Sequence, residues 1–402
     1  MEKDYIHDID QIREKEYPLL QGEYLLYTLY VNMLTKEDTT YLDHAGTTLY
    51  SKSLLQRFSK DLSSNLFGNP HSASPSSALS TKRVENVRLR ILNFFKADPE
   101  HFDVIFVANA TAGIKMVMSA FQDYDSVTTS QSQPGFWYGY HSDAHTSIVG
   151  VRQVAFAGSR CFRSDEEVED WLEDGSTPVQ DGSDRPKGSQ LALFAYPAQS
   201  NMNGHRLPLS WAGRIRSSTH PAHKNMYTLL DAAAYVMTAQ LDLSNASMAP
   251  DFTVLSFYKI FGFPDLGAVV VRKAAGHILR QRRYFGGGTV DMVVAVDTDT
   301  AWHAKKKDEL HDELEDGTLA FHNIIALDAS LDTHQRLYGS MSRVSAHVCY
   351  LSKLLYKRLE ALQHGNGSSV CKIYKHATST YGDSKTQGPT VAFNIRNSQG
   401  GW

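Results

Sequence analysis

The sequence predicts an α/β fold in which helices cover both faces of a mostly parallel central sheet. One observation is a set of short apolar segments that are continuous rather than alternating, as is typical of strands buried on both faces. Another is that helical patterns separate these segments, and alternating strands and helices favour parallel pairing. The predicted strands are 103–109, 152–156, 190–197, 226–233, 252–258 and 266–273.

The clearest helical pattern follows the first predicted strand. Apolar residues there repeat at helical spacing, at Ile114, Val117, Met118 and Phe121. A second helix is predicted to begin near Ser164, because Ser164 and Glu167 have the spacing of a capping box. Beyond Gly339 we predict a long amphipathic helix whose apolar face carries Val344, Val348, Leu351, Leu355, Leu359 and Leu362.

The length of 402 residues allows a large domain with a smaller one attached. We predict an N-terminal arm over residues 1–40, a large domain over 41–335 and the start of a smaller C-terminal domain over 336–402. The segment 175–189 is dense in Gly, Ser, Pro and Asp, so we expect an exposed loop there.

The composition excludes several classes of protein. With 42% hydrophobic residues, 21% charged residues and a formal net charge of −4, the chain has no basic excess that would indicate nucleic-acid binding. No stretch approaches the ~18–20 continuous apolar residues of a membrane span, and the N-terminus is too charged for a signal peptide. We therefore expect a cytoplasmic protein. Cys161, Cys349 and Cys371 are far apart, which argues against a disulfide framework and against a cysteine-based zinc site.

Lys259 lies in an unusual place for a lysine, at the end of an apolar run that reads as a buried strand. Its neighbours Phe257, Ile260 and Phe261 are apolar, and we expect the resulting desolvation to favour the neutral amine. A neutral amine can form a Schiff base with an aldehyde cofactor, above all pyridoxal phosphate (PLP). A lysine with a buried stem and a solvated ammonium group would give the same pattern.

Three further residues could serve such a cofactor. Asp231 also ends an apolar run, where a carboxylate needs a cation such as a pyridinium nitrogen, although it could simply cap a helix. Thr111 opens a helix after a strand, where free N–H groups attract phosphate, and an ordinary N-cap would look the same. His145 could stack on an aromatic ring. With His141 it could instead bind a metal, but no third ligand is evident and we predict no metal site.

These positions have the order and approximate spacing of the class V aminotransferase family of PLP enzymes, which includes the cysteine desulfurases. The segments YLDHAGTTL (41–49), FGNPHS (67–72) and NATAG (109–113) resemble its motifs, and the resemblance runs from about residue 20 to the end of the chain. It implies a PLP-dependent transferase fold of type I, like that of aspartate aminotransferase. This fold has a mostly parallel central sheet and a smaller C-terminal α+β domain, here incomplete.

The resemblance implies a role for each matching residue. It places Ala110 and Thr111 in the phosphate-binding turn and Ser256 on the phosphate. His145 matches a ring-stacking histidine, and Asn201 matches an asparagine beside cofactor and substrate.

The resemblance also implies roles for Asp231, for Lys259 itself and for the GGGT segment. Asp231 matches the partner of the pyridinium nitrogen, and Lys259 matches the lysine that holds PLP covalently. In homodimers of this family, a segment like GGGT reaches the partner's phosphate, which would give Gly288 and Thr289 a role across the interface.

The details are most similar to one branch of the family, the eukaryotic molybdenum cofactor sulfurases. The segments LDHAGTTLYS, PAQSNMNG, SFYKIFGFPDLGAVVVR and YFGGGTV carry this resemblance. Two positions depart from the desulfurase pattern. Tyr258 replaces the histidine before the lysine, and Ala234 replaces a glutamine that usually contacts the phenolic oxygen of the cofactor.

The resemblance implies that sulfur is released from L-cysteine, leaving alanine, and passes through a cysteine persulfide to the molybdenum cofactor. Xanthine dehydrogenase and aldehyde oxidase need this sulfur. In the family the persulfide cysteine, the arginines that hold the substrate carboxylate and the molybdenum-cofactor domain lie C-terminal to a segment resembling TVAFNIRNSQGGW. We therefore expect a truncated chain that binds PLP weakly and does not complete sulfur transfer. Two alternatives stay open: another class V enzyme, such as a kynureninase-like lyase or an aminotransferase, and a non-catalytic subunit.

Overall fold

The computed structural model describes residues 5–6, 8–21, 40–128, 135–174, 190–296 and 301–402. The α-helices are α1 (Asp8–Glu16), α2 (Lys52–Ser64), α3 (Pro75–Phe94), α4 (Ala110–Thr128), α5 (Thr146–Val149), α6 (Asp165–Asp174), α7 (Trp211–Ser217), α8 (Tyr258–Phe261), α9 (Gly276–Leu279), α10 (Leu310–Leu314), α11 (Phe321–Tyr338) and α12 (Met341–Glu360). The strands are β1 (Phe102–Val107), β2 (Trp137–His141), β3 (Ser159–Phe162), β4 (Ala192–Pro197), β5 (Met226–Asp231), β6 (Phe252–Ser256), β7 (Gly267–Arg272), β8 (Val290–Val293), β9 (His303–Lys305), β10 (Cys371–Tyr374) and β11 (Ala392–Ile395). Short 3₁₀ helices occupy Pro18–Gln21, Gly150–Val154, Pro221–His223 and Lys273–Ala275.

The central sheet has seven strands in the order β1-β7-β6-β5-β4-β2-β3. The five strands from β6 to β3 run parallel, whereas β7 is antiparallel to both β1 and β6. The prediction of a mostly parallel sheet is therefore confirmed. Parallel strands end at the same edge of a sheet, and ligands of such sheets bind outside that edge.

Helices cover both faces of the central sheet. On one face, α3 and α11 pack on a core cluster that includes Val87, Val104 and Leu327. On the other face, α4 and α9 pack on a second cluster that includes Ile105 and Ile114. Val104 and Ile105 are consecutive in β1, and successive strand side chains point to opposite faces, so the sheet separates the two cores.

One predicted strand is wrong. The segment 152–156 does not form a strand, because Gly150–Val154 is a 3₁₀ helix that buries Val151 between α5 and β3. Two strands of the central sheet, β2 and β3, were not predicted. The β2 sequence WYGYH is aromatic and contains a glycine, so it lacks the β-branched run that marked the other strands.

The predicted helices after β1 and near Ser164 are confirmed as α4 and α6. The Glu167 N–H donates to Ser164 Oγ at 3.3 Å, as a capping box requires. The long C-terminal helix is confirmed as α12. On its apolar face, Leu351 and Leu355 remain 40% and 39% exposed. The predicted loop 175–189 lies outside the described residues, and the domain boundaries stay a prediction.

None of the helices in the described ranges is both long enough and apolar enough to cross a membrane.

Candidate active site

Two neighbouring parallel strands, β5 and β6, end side by side in the candidate site. Asp231 is the last residue of β5 and Ser256 is the last residue of β6. Lys259 follows three residues later, in the single turn of α8. The turn keeps Lys259 at the carboxyl edge of the sheet, close enough for its charge to act on Asp231.

Asp231 is a buried carboxylate near Lys259 and His145. Burial raises the pKa of Asp231, while the Ala233 N–H and the charges of Lys259 and His145 oppose this rise. The Ala233 N–H donates to Asp231 Oδ1 at 3.0 Å. Across the described ranges, no hydrogen bond is made to the other oxygen, Oδ2. The carboxylate therefore has one oxygen fixed by its own chain and one left for a further donor.

Lys259 is itself half-buried, because its apolar neighbours in the sequence belong to the hydrophobic core beneath it. Phe257, Ile260 and Phe261 are buried, with exposed fractions of 0%, 5% and 6%. The main chain at Lys259 is held from the N-terminal part of the protein, since Thr48 Oγ1 donates to the Lys259 carbonyl at 2.7 Å. The segment resembling the family's N-terminal motif thus packs directly on the lysine turn.

Gly262 ends the lysine turn with φ of +78°, a conformation that strongly favours glycine. A Cβ atom at this position would lie 2.4 Å from the Tyr50 backbone nitrogen and 2.5 Å from the Leu49 carbonyl carbon. Both distances are too short for nonbonded atoms. The glycine is therefore what permits the segment around Leu49 to approach the turn.

We expect Gly262→Ala to destabilise the protein by at least about 1–2 kcal/mol, since a left-handed conformation alone carries that penalty for a residue with a Cβ. The backbone clash adds to it. Urea unfolding of the two proteins measures the difference. Gly365→Ala is a suitable control, because nothing lies within 4 Å of the Cβ it would introduce. Equal stability of Gly262→Ala and wild type would contradict the described packing.

The N-terminus of α4 provides free donors next to Ser256. The Ala110 N–H donates to Ser256 Oγ at 3.0 Å, and the Ala112 N–H donates to Asn109 Oδ1 at 3.0 Å. The Thr111 N–H between them makes no hydrogen bond to any residue that the structure describes. Because α4 has 19 residues, its dipole adds to the attraction that this end exerts on an anion.

A chain of side-chain hydrogen bonds joins α4 to the histidine of the site. Thr111 Oγ1 lies 2.8 Å from Ser147 Oγ, and Ser147 Oγ lies 3.0 Å from His145 Nδ1. His145 also caps α5, because its Nδ1 accepts from the Ser147 N–H at 3.2 Å. The exposed ring of His145 is therefore held in place at the sheet edge.

The structure thus brings together most of the residues singled out from the sequence. The group comprises Lys259, Tyr258, Asp231, His145, Ser256, Ala110 and Thr111.

Three residues of the predicted set are not joined to this group by any hydrogen bond or ion pair between described residues. Asn201 is half-buried in the turn after β4 and makes no hydrogen bond there. Gly288 packs against His71 of its own chain, where an added Cβ would lie 2.5 Å from His71 Cε1. Thr289 is buried, and its hydroxyl donates to the Gly286 carbonyl at 2.8 Å. The GGGT and FGNPHS motifs therefore meet each other within one chain.

Sequence reasoning missed three residues of the site. Asn109 caps α4, and its position directly before the helical pattern was a usable signal. Thr48 gave no such signal, because the residue it contacts is 211 positions away, and the contact of Ser147 with Thr111 spans 36 positions.

The three cysteines are free thiols. Burial raises the pKa of the Cys161 thiol and of the Cys349 thiol. Cys371 is buried in β10. Because the thiolate is the reactive form, these environments disfavour attack by Cys161 and Cys349.

Comparison of the sequence with known proteins gives a consistent set of relatives. A protein of Aspergillus fumigatus called molybdenum cofactor sulfurase is 59% identical over 398 residues, which is 99% of this chain and 43% of that protein. A protein of the same name from Emericella nidulans is 54% identical over 399 residues, again 99% of this chain and 43% of the relative. The chain therefore spans less than half the length of these curated relatives.

Solved structures share the fold at low sequence identity. The cysteine desulfurase CsdA from Escherichia coli superimposes with a TM-score of 0.63 at 20% identity, covering 88% of this chain and 78% of that one. A cysteine desulfurase from Thermococcus onnurineus gives a TM-score of 0.66 at 17% identity, covering 96% of this chain and 82% of that one. The sequence pattern of the family described as Aminotransferase class-V matches residues 40–133 and 173–380. The chain belongs to the class V aminotransferase family.

Proposed function

We propose that the site at the ends of β5 and β6 binds PLP. The observation that carries this proposal is the buried Asp231, which has Oδ2 free of hydrogen bonds to the described residues and lies within the electrostatic reach of Lys259. Such a carboxylate fits a protonated pyridine nitrogen, because burial without a cation is unfavourable. The free Thr111 N–H at the start of α4 and the Ser256 hydroxyl fit a phosphate group.

Each residue of the site would have a separate role in binding the cofactor or in the reaction. PLP, when bound, supplies an electron sink for the bonds of an amino acid substrate. Lys259 would hold the cofactor covalently through Nζ and, once released, could accept and return a proton there. Asp231 would keep the ring nitrogen protonated, and His145, held by Ser147, would cover one face of the ring. Ser256 Oγ already accepts from Ala110, so its own proton is available for the phosphate.

We propose L-cysteine as the substrate and the release of its sulfur, with alanine as product, as the reaction. The support comes from relatives of 59% identity that bear the name molybdenum cofactor sulfurase. The sulfur would pass through a protein persulfide to the molybdenum cofactor, for the use of enzymes such as xanthine dehydrogenase and aldehyde oxidase. We propose that neither Cys161 nor Cys349 carries the persulfide, because burial raises the pKa of each thiol.

We further propose that the working unit is a cytoplasmic homodimer. A hairpin formed by β8 and β9 follows the GGGT motif and exposes large apolar side chains. Met292, Val296 and Trp302 are 60%, 75% and 53% exposed. Apolar side chains exposed together in this way favour a protein interface. The free thiols support a reducing compartment. A sedimentation measurement would test the dimer.

The function is tested by following the visible absorption of the purified chain during a titration with PLP. We expect a band that reports covalent attachment of the cofactor. Addition of L-cysteine should alter this band, whereas L-serine, which has a hydroxyl in place of the thiol, should alter it far less.

Two results would count against this function. Absence of any visible band after incubation with PLP would remove the cofactor assignment. A band that responds to serine or kynurenine as strongly as to cysteine would keep the cofactor but favour another class V reaction.

A further inference from the structure

Three side chains that commonly bind metals meet where the C-terminal segment contacts the large sheet. Asp165 begins α6, His205 follows β4 and His376 follows β10. One carboxylate oxygen of Asp165 and one ring nitrogen of each histidine lie within 4.8 Å of one another. His205 Nε2 is 2.9 Å from Asp165 Oδ2, and the rings of His205 and His376 stack with their centroids 3.9 Å apart.

A buried histidine is aimed into this cluster. His141 ends β2, is 2% exposed, and its Nε2 lies 3.3 Å from Asp165 Oδ1. Neither of these two buried atoms makes a hydrogen bond to a residue within the described ranges. Because the Asp143 N–H donates to His141 Nδ1 at 3.1 Å, the neutral ring carries its proton on Nε2. His141 therefore faces the cluster as a donor, for Asp165 or for a water bound beside it.

The hydrogen bonds of His205 direct its inward nitrogen, Nε2, at the Asp165 carboxylate. Ser379 Oγ donates its only proton to the Thr386 carbonyl at 3.0 Å. His205 Nδ1, which lies 2.9 Å from Ser379 Oγ, must then be the donor in that contact. The remaining nitrogen, Nε2, points at the Asp165 carboxylate. An outer hydrogen bond of this kind is usual for a histidine that binds a metal, because it fixes the ring and its tautomer.

His376 is half-buried and is oriented differently from His205. Its Nδ1 accepts a hydrogen bond from the Thr378 N–H at 3.4 Å and lies 2.8 Å from Thr378 Oγ1, so binding of a metal through Nε2 would displace a proton from that nitrogen. The cluster therefore offers one carboxylate and two imidazole rings as ligands.

We propose that Asp165, His205 and His376 bind one divalent transition-metal ion, with Zn²⁺ the ion best matched to these ligands and water as the fourth ligand. Two histidines and one carboxylate are a common zinc donor set. The histidine rings, now only 22° from parallel, must tilt so that both nitrogens face the ion. The ion would join α6 and the segment after β4 to the C-terminal segment. The sequence pair His141 and His145 is not this site, since His145 belongs to the active site.

The site is tested with the full chain after dialysis against a chelator, by calorimetric titration with Zn²⁺ and by the visible spectrum of added Co²⁺. We expect one equivalent of Zn²⁺ in the wild type and at least tenfold weaker binding in His376→Ala. The half-buried His364 is a matched control in the same C-terminal region, because its Nε2 contacts the Arg396 carbonyl and not the cluster. His364→Ala should bind Zn²⁺ as the wild type does.

The thermal midpoint provides a second readout that does not depend on catalysis. Zn²⁺ should raise the Tm of the wild type and of His364→Ala, and should leave the Tm of His376→Ala unchanged. Asp165→Asn, which keeps the shape of the side chain, should behave like His376→Ala. Equal Zn²⁺ affinity in wild type and both cluster variants, or no binding by the wild type, would overturn the proposal. In that case the cluster is held only by the contact between His205 Nε2 and Asp165 Oδ2. The PLP site is unaffected by either outcome.

Discussion

Lys259→Ala is expected to abolish the covalent attachment of PLP and with it the visible band. Alanine has no amine, so the cofactor would be held only by noncovalent contacts with Asp231, Ser256 and the start of α4. We expect the cofactor to be lost on dialysis. Any release of alanine from L-cysteine should fall by about 100-fold to 10,000-fold, the range typical for loss of a proton-transferring side chain. Absorption spectra before and after dialysis provide the measurement.

The matched control for this variant is Lys273→Ala. Lys273 is also half-buried and follows β7, but its Nζ pairs with Glu309 at 2.9 Å, away from the site. It should keep the band and retain the cofactor. Retention of the band by Lys259→Ala, or its loss in both variants, would show that Lys259 is not the residue that holds PLP.

Asp231→Asn is expected to weaken PLP binding by about 100-fold to 4,000-fold. Removing one charge from a buried ion pair typically destabilises it by about 3–5 kcal/mol, and each 1.4 kcal/mol is about tenfold in affinity. Asparagine can still accept from the Ala233 N–H, so the backbone contact at 3.0 Å is preserved. The covalent link through Lys259 should still form at high PLP concentration, which separates this variant from Lys259→Ala.

The same substitution should not destabilise the cofactor-free protein. Burial raises the pKa of Asp231 in the folded chain above its ordinary value in the unfolded chain. Ionisation is therefore less favourable in the folded chain, and the folded chain loses stability as the pH rises from the ordinary pKa through the raised pKa. Because asparagine cannot ionise, the Asp231→Asn protein does not suffer this loss of folding stability at neutral pH. We therefore expect the Tm of cofactor-free Asp231→Asn to equal or exceed that of the wild type, and the difference to shrink at acid pH.

Thermal unfolding without PLP and a PLP titration of both proteins measure these two effects together. Asp265→Asn is a suitable control, since Asp265 is exposed in the loop before β7. A marked fall in Tm would mean that Asp231 has a structural role. Unchanged PLP affinity in a folded Asp231→Asn protein would contradict its assignment to the ring nitrogen.

The sequence alone determined the fold class, the five central strands marked by apolar runs, and the order of the site residues. This information is local. A run such as FTVLS shows burial on both faces through its own composition, and the lysine that follows it conflicts with that burial. Such conflicts between a polar residue and its apolar surroundings can be read without a structure.

The tertiary structure decided which distant residues meet. Ser147 contacts Thr111, and Thr48 holds the Lys259 carbonyl, through contacts that no local pattern records. The strands β2 and β3 were also missed, because they lack the β-branched runs that marked the other strands, and their pairing with neighbouring strands is seen only in the structure.

The cluster of Asp165, His205 and His376 illustrates the same limit most clearly. Each of these residues looks ordinary in the sequence, and the first and last are separated by more than half of the chain. They converge because α6, the segment after β4 and the C-terminal segment all pack near one edge of the sheet. This convergence is decided by hydrophobic burial and strand pairing, which act between segments that are distant in the chain. No short stretch of sequence therefore predicts it.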